Sequence, residues 1–354
     1  MVVHQVLCAA GPVDAVTNQG FTCRRRFAGW GWKGGDVAAV LAPGMDRRAM
    51  RSLGALKPAR DDVLLVHYSG YAARLERLLD LPNPMVVISH NVTPARYFWA
   101  YEPIEGLRCA LAPEQLAELA RGARVAAGVS EYNAAELRAA GADDVRVIPI
   151  LFERERLGVP GPRPPAGPPT FLFVGRLAPH KRQDLVIRAF GLYRRRHAPD
   201  ARLVLVGTPL APAFEASLRG LAEQVAPGAV RFEHGLDDPA LYDRYRAAHA
   251  FLCLSEHEGF CIPLLEAFHF GVPVVTRAAG GIGEVVGDAA LVVPPGDDGE
   301  LDLAVVAELL HLAVSDAELQ AELRRRAETR LDAFSLGRTE RDLRDAVEAA
   351  GAAA

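Results

Sequence analysis

Short apolar runs alternate with stretches of helical periodicity from one end of the chain to the other. Apolar runs bounded by turn residues read as buried strands. In the first half they fall near residues 3–9, 36–41, 62–67, 85–90, 125–129 and 145–149. In the second half they fall near 170–174, 202–206, 229–233, 250–254, 273–276 and 290–294. The intervening segments carry a helical period, as in Asp184-Leu185-Val186-Ile187-Arg188-Ala189-Phe190 and Ala240-Leu241-Tyr242-Asp243-Arg244-Tyr245. Strands that are apolar throughout imply parallel sheets covered by helices on both faces. The alternation breaks at 158–169, a stretch dominated by proline and glycine that can be neither helix nor inner strand. The pattern therefore predicts an α/β protein of two doubly wound, Rossmann-like domains. The first spans 1–156, a linker 157–169 and the second 170–334, and a helix over 335–354 is expected to pack back on the first. Two such domains facing each other would bind a ligand in the cleft at the C-terminal ends of their strands.

Composition narrows the choice of partner. The chain has 354 residues, half of them hydrophobic and 24% charged, with a formal net charge of -4. That balance excludes a disordered protein and argues against nucleic acid as the main partner. The five cysteines, Cys8, Cys23, Cys109, Cys253 and Cys261, are scattered without a C-x-x-C pair, as expected of free thiols in a reducing cytoplasm. No run is apolar enough to span a membrane, and the first apolar stretch, which contains His4 and Gln5, reads as a strand and not a signal peptide. The expected location is cytoplasmic, with at most peripheral membrane contact. Arg24-Arg25-Arg26 with Phe27, Trp30 and Trp32 could form a basic aromatic patch for a membrane. The negative net charge favours a solvated helix face with two core tryptophans instead.

The most informative stretch is Ser255-Glu256-His257-Glu258-Gly259-Phe260-Cys261-Ile262-Pro263-Leu264-Leu265-Glu266. It follows the apolar run Ala250–Leu254 and leads into a helix with a proline near its first position. Free backbone N–H groups at a helix N-terminus suit a phosphate, and Glu258 beside them can hold hydroxyls. Glu266, one turn inside the helix, can reach another part of the same ligand. A diphosphate with a sugar on each side fits this arrangement, and a nucleotide-sugar is such a molecule. A second loop, Phe173-Val174-Gly175-Arg176-Leu177-Ala178-Pro179-His180-Lys181, also ends a strand. Gly175 lets a ligand approach the backbone, and Arg176 and Lys181 can clamp a diphosphate from opposite sides. Gly29-Trp30-Gly31-Trp32-Lys33-Gly34 matches the dinucleotide G-x-G-x-x-G pattern, but it follows a helix and precedes a strand, so it reads as a helix-ending turn. Glu256 and His257 resemble metal ligands in type alone, without a cluster at ligand spacing.

With these motifs the chain resembles the family-4 glycosyltransferases of the GT-B architecture. The resemblance is strongest from Thr170 to Gly296 and rests on Glu258 and Glu266 with seven residues between them, Gly175-Arg176 with Lys181, and Gly271-Val272-Pro273 followed by Gly280-Gly281-Ile282-Gly283-Glu284. It implies that Arg176 and Lys181 hold the donor diphosphate and that Glu258 binds hydroxyls of the transferred sugar. It also implies that the backbone of Gly259, Phe260 and Cys261 helps cradle sugar and phosphate, that Glu266 holds the ribose, and that main-chain groups of Gly235 and Leu236 contact the base. His90, at the end of the strand Val86–Ser89, would touch the donor sugar or stabilise charge near the anomeric centre. Many relatives carry a Gly-Gly pair after the first strand, where this chain reads Cys8-Ala9-Ala10-Gly11-Pro12.

The activity so implied is a retaining, metal-independent transfer of a hexose-type sugar from a nucleoside-diphosphate sugar, with no cofactor, to a glycan, lipid-linked or small-molecule acceptor. The departing phosphate would accept the acceptor's proton in a front-face attack, and closure about the linker would exclude water. Two rival readings are a nucleotide-sugar epimerase on the same architecture and a non-catalytic partner subunit.

Overall fold

The computed structural model describes residues 1–161, 167–296 and 299–352. The chain forms two compact units, Met1–Arg96 with Ile104–Phe152 and Phe334–Ala354, and Tyr97–Pro103 with Glu153–Ala333. Each holds one parallel sheet. Residues 162–166 of the expected linker lie outside the described residues.

In the first unit the strands are β1 Val3–Ala10, β2 Asp36–Leu41, β3 Arg51–Ser52, β4 Val63–Tyr68, β5 Met85–Ser89, β6 Val125–Gly128 and β7 Val145–Val147, in the order β3-β2-β1-β4-β5-β6-β7. β4 and β5 are buried along their whole length, which is why their sequences are apolar without alternation. Helices α1 Ala15–Gly29, α2 Pro103–Gly122 and α3 Glu131–Ala139 accompany this sheet. Asp14 caps α1 by accepting from Thr17 N–H, and Ser130 caps α3 by accepting from Asn133 N–H. The two-residue strand β3 was not expected, because a strand this short at a sheet edge leaves no apolar run to read.

In the second unit the strands are β8 Thr170–Val174, β9 Arg202–Val206, β10 Val230–Glu233, β11 Ala250–Cys253, β12 Val274–Arg277 and β13 Leu291–Val293, in the order β10-β9-β8-β11-β12-β13. Its helices are α4 Gln183–Arg196, α5 Pro212–Val225, α6 Asp238–Ala247, α7 Ile262–His269, α8 Ile282–Val286, α9 Leu303–Ser315 and α10 Ala317–Ala333. One face of the sheet packs on α4, α5 and α9 through Phe171, Phe173, Phe190, Tyr193, Leu203 and Leu310, all essentially without solvent contact. The strand order reverses at β8, flanked by β9 and β11. The loops after β8 and β11 thus leave from the C-terminal ends of neighbouring strands at a switch point, the usual ligand position in such sheets.

The final helix α11, Leu336–Ala352, packs on β4, β5 and β6 and belongs to the first unit. It buries Leu343, Ala346, Val347 and Ala350 as one helical stripe. No helix among the described residues is long and apolar enough to cross a membrane.

In the arginine run on α1, Arg25 is exposed as a solvated face would have it, but Arg24 is not. Arg24 is tied to the buried carboxylate of Asp36 at 2.6 Å and to Val3 O at 2.9 Å. Phe27 and Trp32 are buried, and Arg344 lies over the Trp30 ring. The glycine-rich turn closes α1 at Gly29, and Gly31 takes a left-handed conformation with φ 74.

Candidate functional site

The loop after β8 leaves the sheet at Gly175, whose φ of +150 lies outside the range other residues adopt freely. Arg176 follows with its side chain exposed, while its carbonyl accepts from Gln183 Nε2 at 2.9 Å. A single 3-10 turn, Pro179–Lys181, then anchors the loop by burying His180 between Tyr97 and Phe98. Burial, together with the nearby Lys181, His257 and Arg176 charges, holds His180 at about 2, so its ring is neutral. The anchor places the next residue, Lys181, toward the loop after β11. The two loops are also joined through their backbones, since Glu256 N–H donates to His180 O at 2.8 Å.

Lys181 and Glu258 form the centre of this arrangement. Lys181 Nζ donates to both oxygens of Glu258, at 2.5 and 2.6 Å. Glu258 is only 7% exposed. Burial pushes the Lys181 ammonium down, but Glu258, with Cys261 and Cys253 acting in the same direction, leaves Lys181 above its ordinary value. Glu258 is fixed from behind as well: its carbonyl accepts from Gly281 N–H at 2.9 Å. That approach requires glycine at 280, where a Cβ would stand 2.1 Å from Glu258 O and where φ is +56. The Gly280-Gly281 pair is thus the seat of the acidic loop. The sequence reading treated Lys181 and Glu258 as separate grips; the structure shows one bonded pair.

Gly259 and Phe260 are buried, and Cys261 turns the chain into α7 with φ 75. Glu266, within α7 and half-buried, accepts from Tyr245 Oη at 2.6 Å. Burial raises the Glu266 carboxyl above its ordinary value, with the Tyr245 bond opposing, and burial together with Glu266 raises Tyr245 well above its own. Tyr245 and His180 are residues that sequence reasoning missed. Tyr245 read as one more apolar position of a helix, and nothing in its spacing marks a hydroxyl bound to an acid. Gly235 is exposed with φ 63 and Leu236 is half-buried, both in the loop that leads into α6, the helix that carries Tyr245. No hydrogen bond or ion pair among the described residues joins Arg176 to the Lys181–Glu258 pair.

Glu256 is held by Arg182, by Tyr97 Oη at 3.1 Å and by Arg277 at 3.7 Å, an ion-pair cluster and not a ligand set. One group of metal-ligand type does occur among the described residues. Cys253 Sγ, Cys261 Sγ and a Glu258 oxygen lie within 4.8 Å of one another. A thiophilic cation there would have to share Glu258 with the ammonium that already engages both its oxygens.

In the first unit, His90 follows β5 directly and its N–H donates to Tyr68 O at 2.7 Å. Its ring, half-buried, stacks on His67 with centroids 5.2 Å apart, and His67 Nδ1 and His90 Nε2 are 2.9 Å apart. Burial lowers His90 to about 4 and lowers His67 well below its ordinary value, so both rings are neutral near pH 7. Asn91 beside it is left-handed with φ 85 and accepts from Asn133 Nδ2 at 3.2 Å.

Comparison with known proteins agrees with this architecture. HepE of Anabaena, solved with UDP and glucose, aligns over 98% of this chain and 99% of its own with a TM-score of 0.73 and 17% identity. The chain therefore has the GT-B fold of two Rossmann-like domains. Residues 160–330 match the family model described as glycosyl transferases group 1, so the second unit is a domain of that family. A D-inositol 3-phosphate glycosyltransferase of Salinispora tropica is 35% identical over 217 residues, 58% of this chain and 44% of that protein. A mannosylfructose-phosphate synthase of Agrobacterium fabrum is 31% identical over 184 residues, 48% of this chain and 39% of that protein. The chain thus covers less than half the length of these curated relatives.

Proposed function

We propose that the protein is a retaining glycosyltransferase that moves a hexose-type sugar from a nucleoside-diphosphate sugar to a hydroxyl of its acceptor. The observation that carries this reading is the Lys181–Glu258 pair, a buried acid bonded to an ammonium on two loops that leave neighbouring strands. A bound diphosphate offers Lys181 a stronger anion than one carboxylate does. As the ammonium turns to the phosphate, Glu258 is released to accept from the hydroxyls of the transferred sugar. Arg176, exposed and without an ion-pair partner among the described residues, is the second cation of the clamp. The N-terminus of α7, turned by Gly259, Phe260 and Cys261, adds backbone N–H groups. Glu266, oriented by Tyr245, grips the ribose, and the main chain of Gly235 and Leu236 meets the base. His90 is the histidine that the family resemblance assigns to the donor sugar.

Breaking the anomeric bond builds oxocarbenium character on the sugar and negative charge on the leaving diphosphate. Arg176 and Lys181 stabilise that charge where it develops, which is where electrostatic catalysis is most effective. These cations take the part a divalent ion plays elsewhere, so the proposed reaction is metal-independent. The names of the two relatives both contain a phosphorylated polyol or sugar, which makes that acceptor class the first to try. A cytoplasmic setting suits such substrates.

A thermal-shift panel of nucleoside diphosphates and their sugars identifies the donor, because a ligand that binds the native state raises the melting temperature. Product analysis with that donor then decides the reaction. Release of nucleoside diphosphate with a new glycoside of the donor's anomeric configuration, undiminished by EDTA, is the expected result. An isomerised sugar-nucleotide identifies an epimerase, and no turnover by the purified chain identifies a partner subunit.

A further inference from the structure

A line of buried polar groups runs through the first unit and ends at His90. Arg24 fixes the Asp36 carboxylate at 2.6 Å. Gln5, wholly buried on β1, donates from Nε2 to Asp36 Oδ1 at 2.8 Å and to Gly20 O at 2.9 Å. Both of those partners are acceptors only, so the Gln5 amide has one workable orientation, with its oxygen turned the other way. That oxygen lies 2.9 Å from His67 Nε2, which must therefore carry the proton and donate. In a neutral His67 the other nitrogen, Nδ1, is then a bare acceptor. It faces His90 Nε2 at 2.9 Å, so His90 Nε2 is the donor in that bond. His90 Nδ1 is left as a lone pair; among the described residues it has no hydrogen-bond partner, and it is buried away from solvent.

We propose that Gln5 and His67 are positioning residues that hold the His90 imidazole as its neutral Nε2–H form, so that the ring can neither give up a proton to a bound donor nor face its leaving group as a cation. The proposal rests on the reading that His90 serves the donor site, and it narrows His90's role. The ring's single N–H is committed to His67. A second proton would have to enter at Nδ1, inside the protein, where burial opposes charge. The relay also fixes the ring plane, since rotation of His90 away from His67 would leave a wholly buried acceptor unpaired.

The test is nitrogen-15 NMR of the full chain labelled at its ten histidines. His90, assigned by its loss in His90→Asn, is expected to show a protonated Nε2 and an unprotonated Nδ1 throughout pH 8 to about pH 6. In His67→Leu, with no acceptor for Nε2–H, His90 is expected to become a mixture of tautomers that titrates closer to an ordinary histidine. Its kcat should fall by about tenfold with little change in the donor KM, as expected for a misplaced group. His67→Gln, whose amide can donate to Gln5 and accept from His90, should restore the single tautomer and most of the rate. A protonated Nδ1 or an imidazolium in the wild type near pH 7 overturns the proposal, as does an unchanged His90 spectrum in His67→Leu. If His67→Leu does not fold, the wild-type spectrum and Gln5→Leu decide alone. A single Nε2–H tautomer in a protein whose His90→Asn variant keeps full activity leaves the relay standing and removes His90 from the site.

Discussion

Glu258 presents both carboxylate oxygens to the Lys181 ammonium, at 2.5 and 2.6 Å, although the two residues lie 77 positions apart on different loops. The pair ties the two loops together, beside the backbone bond from Glu256 N–H to His180 O. It also makes the variants interdependent. Lys181→Ala leaves a buried carboxylate without its counter-charge and should cost roughly 2–3 kcal/mol of stability as well as about a hundredfold in kcat/KM. Lys181→Met combined with Glu258→Gln should regain most of that stability and none of the activity. Chemical denaturation and steady-state kinetics on the wild type, Lys181→Met, Glu258→Gln and the double variant close the cycle. Equal, additive losses in both readouts would separate the two residues.

Glu258→Gln alone should keep the affinity for sugar-free nucleoside diphosphate or strengthen it, because it releases Lys181 to the phosphate. Its turnover should nevertheless fall, since a neutral amide holds sugar hydroxyls less well than a carboxylate. Calorimetry with the nucleoside diphosphate and with the whole donor checks the split. A loss of nucleoside-diphosphate affinity would show that Glu258 serves the phosphate end.

Tyr245→Phe removes one hydroxyl and keeps the ring, which stacks on Phe270 at 5.4 Å and Phe251 at 6.0 Å. Stability should therefore change by about 1 kcal/mol or less, while Glu266 loses the donor that orients it. Nucleoside-diphosphate affinity should drop about tenfold, and Glu266→Gln should show a drop of similar size. A Tyr245→Phe protein that binds like wild type would mean that α7 alone positions Glu266.

Much of this was legible in the sequence because the two sheets are parallel and covered. Such strands must be apolar throughout, so twelve of them stand out as short runs, and only Arg51–Ser52, a two-residue edge, left no trace. The acidic loop was legible because Glu258, Gly259, Pro263 and Glu266 act within one strand-to-helix turn. What could not be read depended on contacts across the fold. The Lys181–Glu258 bond spans β8 and β11, the Tyr245–Glu266 bond spans α6 and α7, and the line from Arg24 to His90 spans α1, β1, β2, β4 and β5. Periodicity reports which face of an element is buried, not which polar atom meets which. Arg24 was misread for that reason: its charge pointed to solvent, and its partner Asp36 opens a strand twelve residues later.

Acid should weaken the first unit through His90. A histidine held at about 4 in the folded protein but near 6.5 when unfolded binds its proton more readily unfolded. Its contribution is intact above about pH 6.5 and is lost as the pH falls toward 4, for a total of about 3 kcal/mol. Urea midpoints should fall across that window, and His90→Asn should flatten the slope. His67, lowered in the same direction by burial and by His90, steepens the wild-type curve further. A midpoint independent of pH between 6.5 and 4.5 in the wild type would contradict the neutral relay.

Gly280 offers the sharpest test of how the acidic loop is held. An alanine there meets two penalties: a left-handed backbone, and a Cβ 2.1 Å from Glu258 O that must push the loop away. Gly228 shares the first penalty alone, with φ +65 and open space around its Cβ position. Gly228→Ala should cost about 1 kcal/mol of stability and leave kcat/KM unchanged. Gly280→Ala should cost more, about 2–4 kcal/mol, because the Gly281 N–H to Glu258 O bond is displaced with the loop. Its kcat/KM should fall by about a hundredfold, since a shift of one ångström at Glu258 misplaces both the acid and its Lys181 partner. Denaturation midpoints and kcat/KM for the two variants separate backbone strain from loss of the seat. Gly280→Ala activity equal to that of Gly228→Ala would show that the acidic loop keeps its function without Gly280.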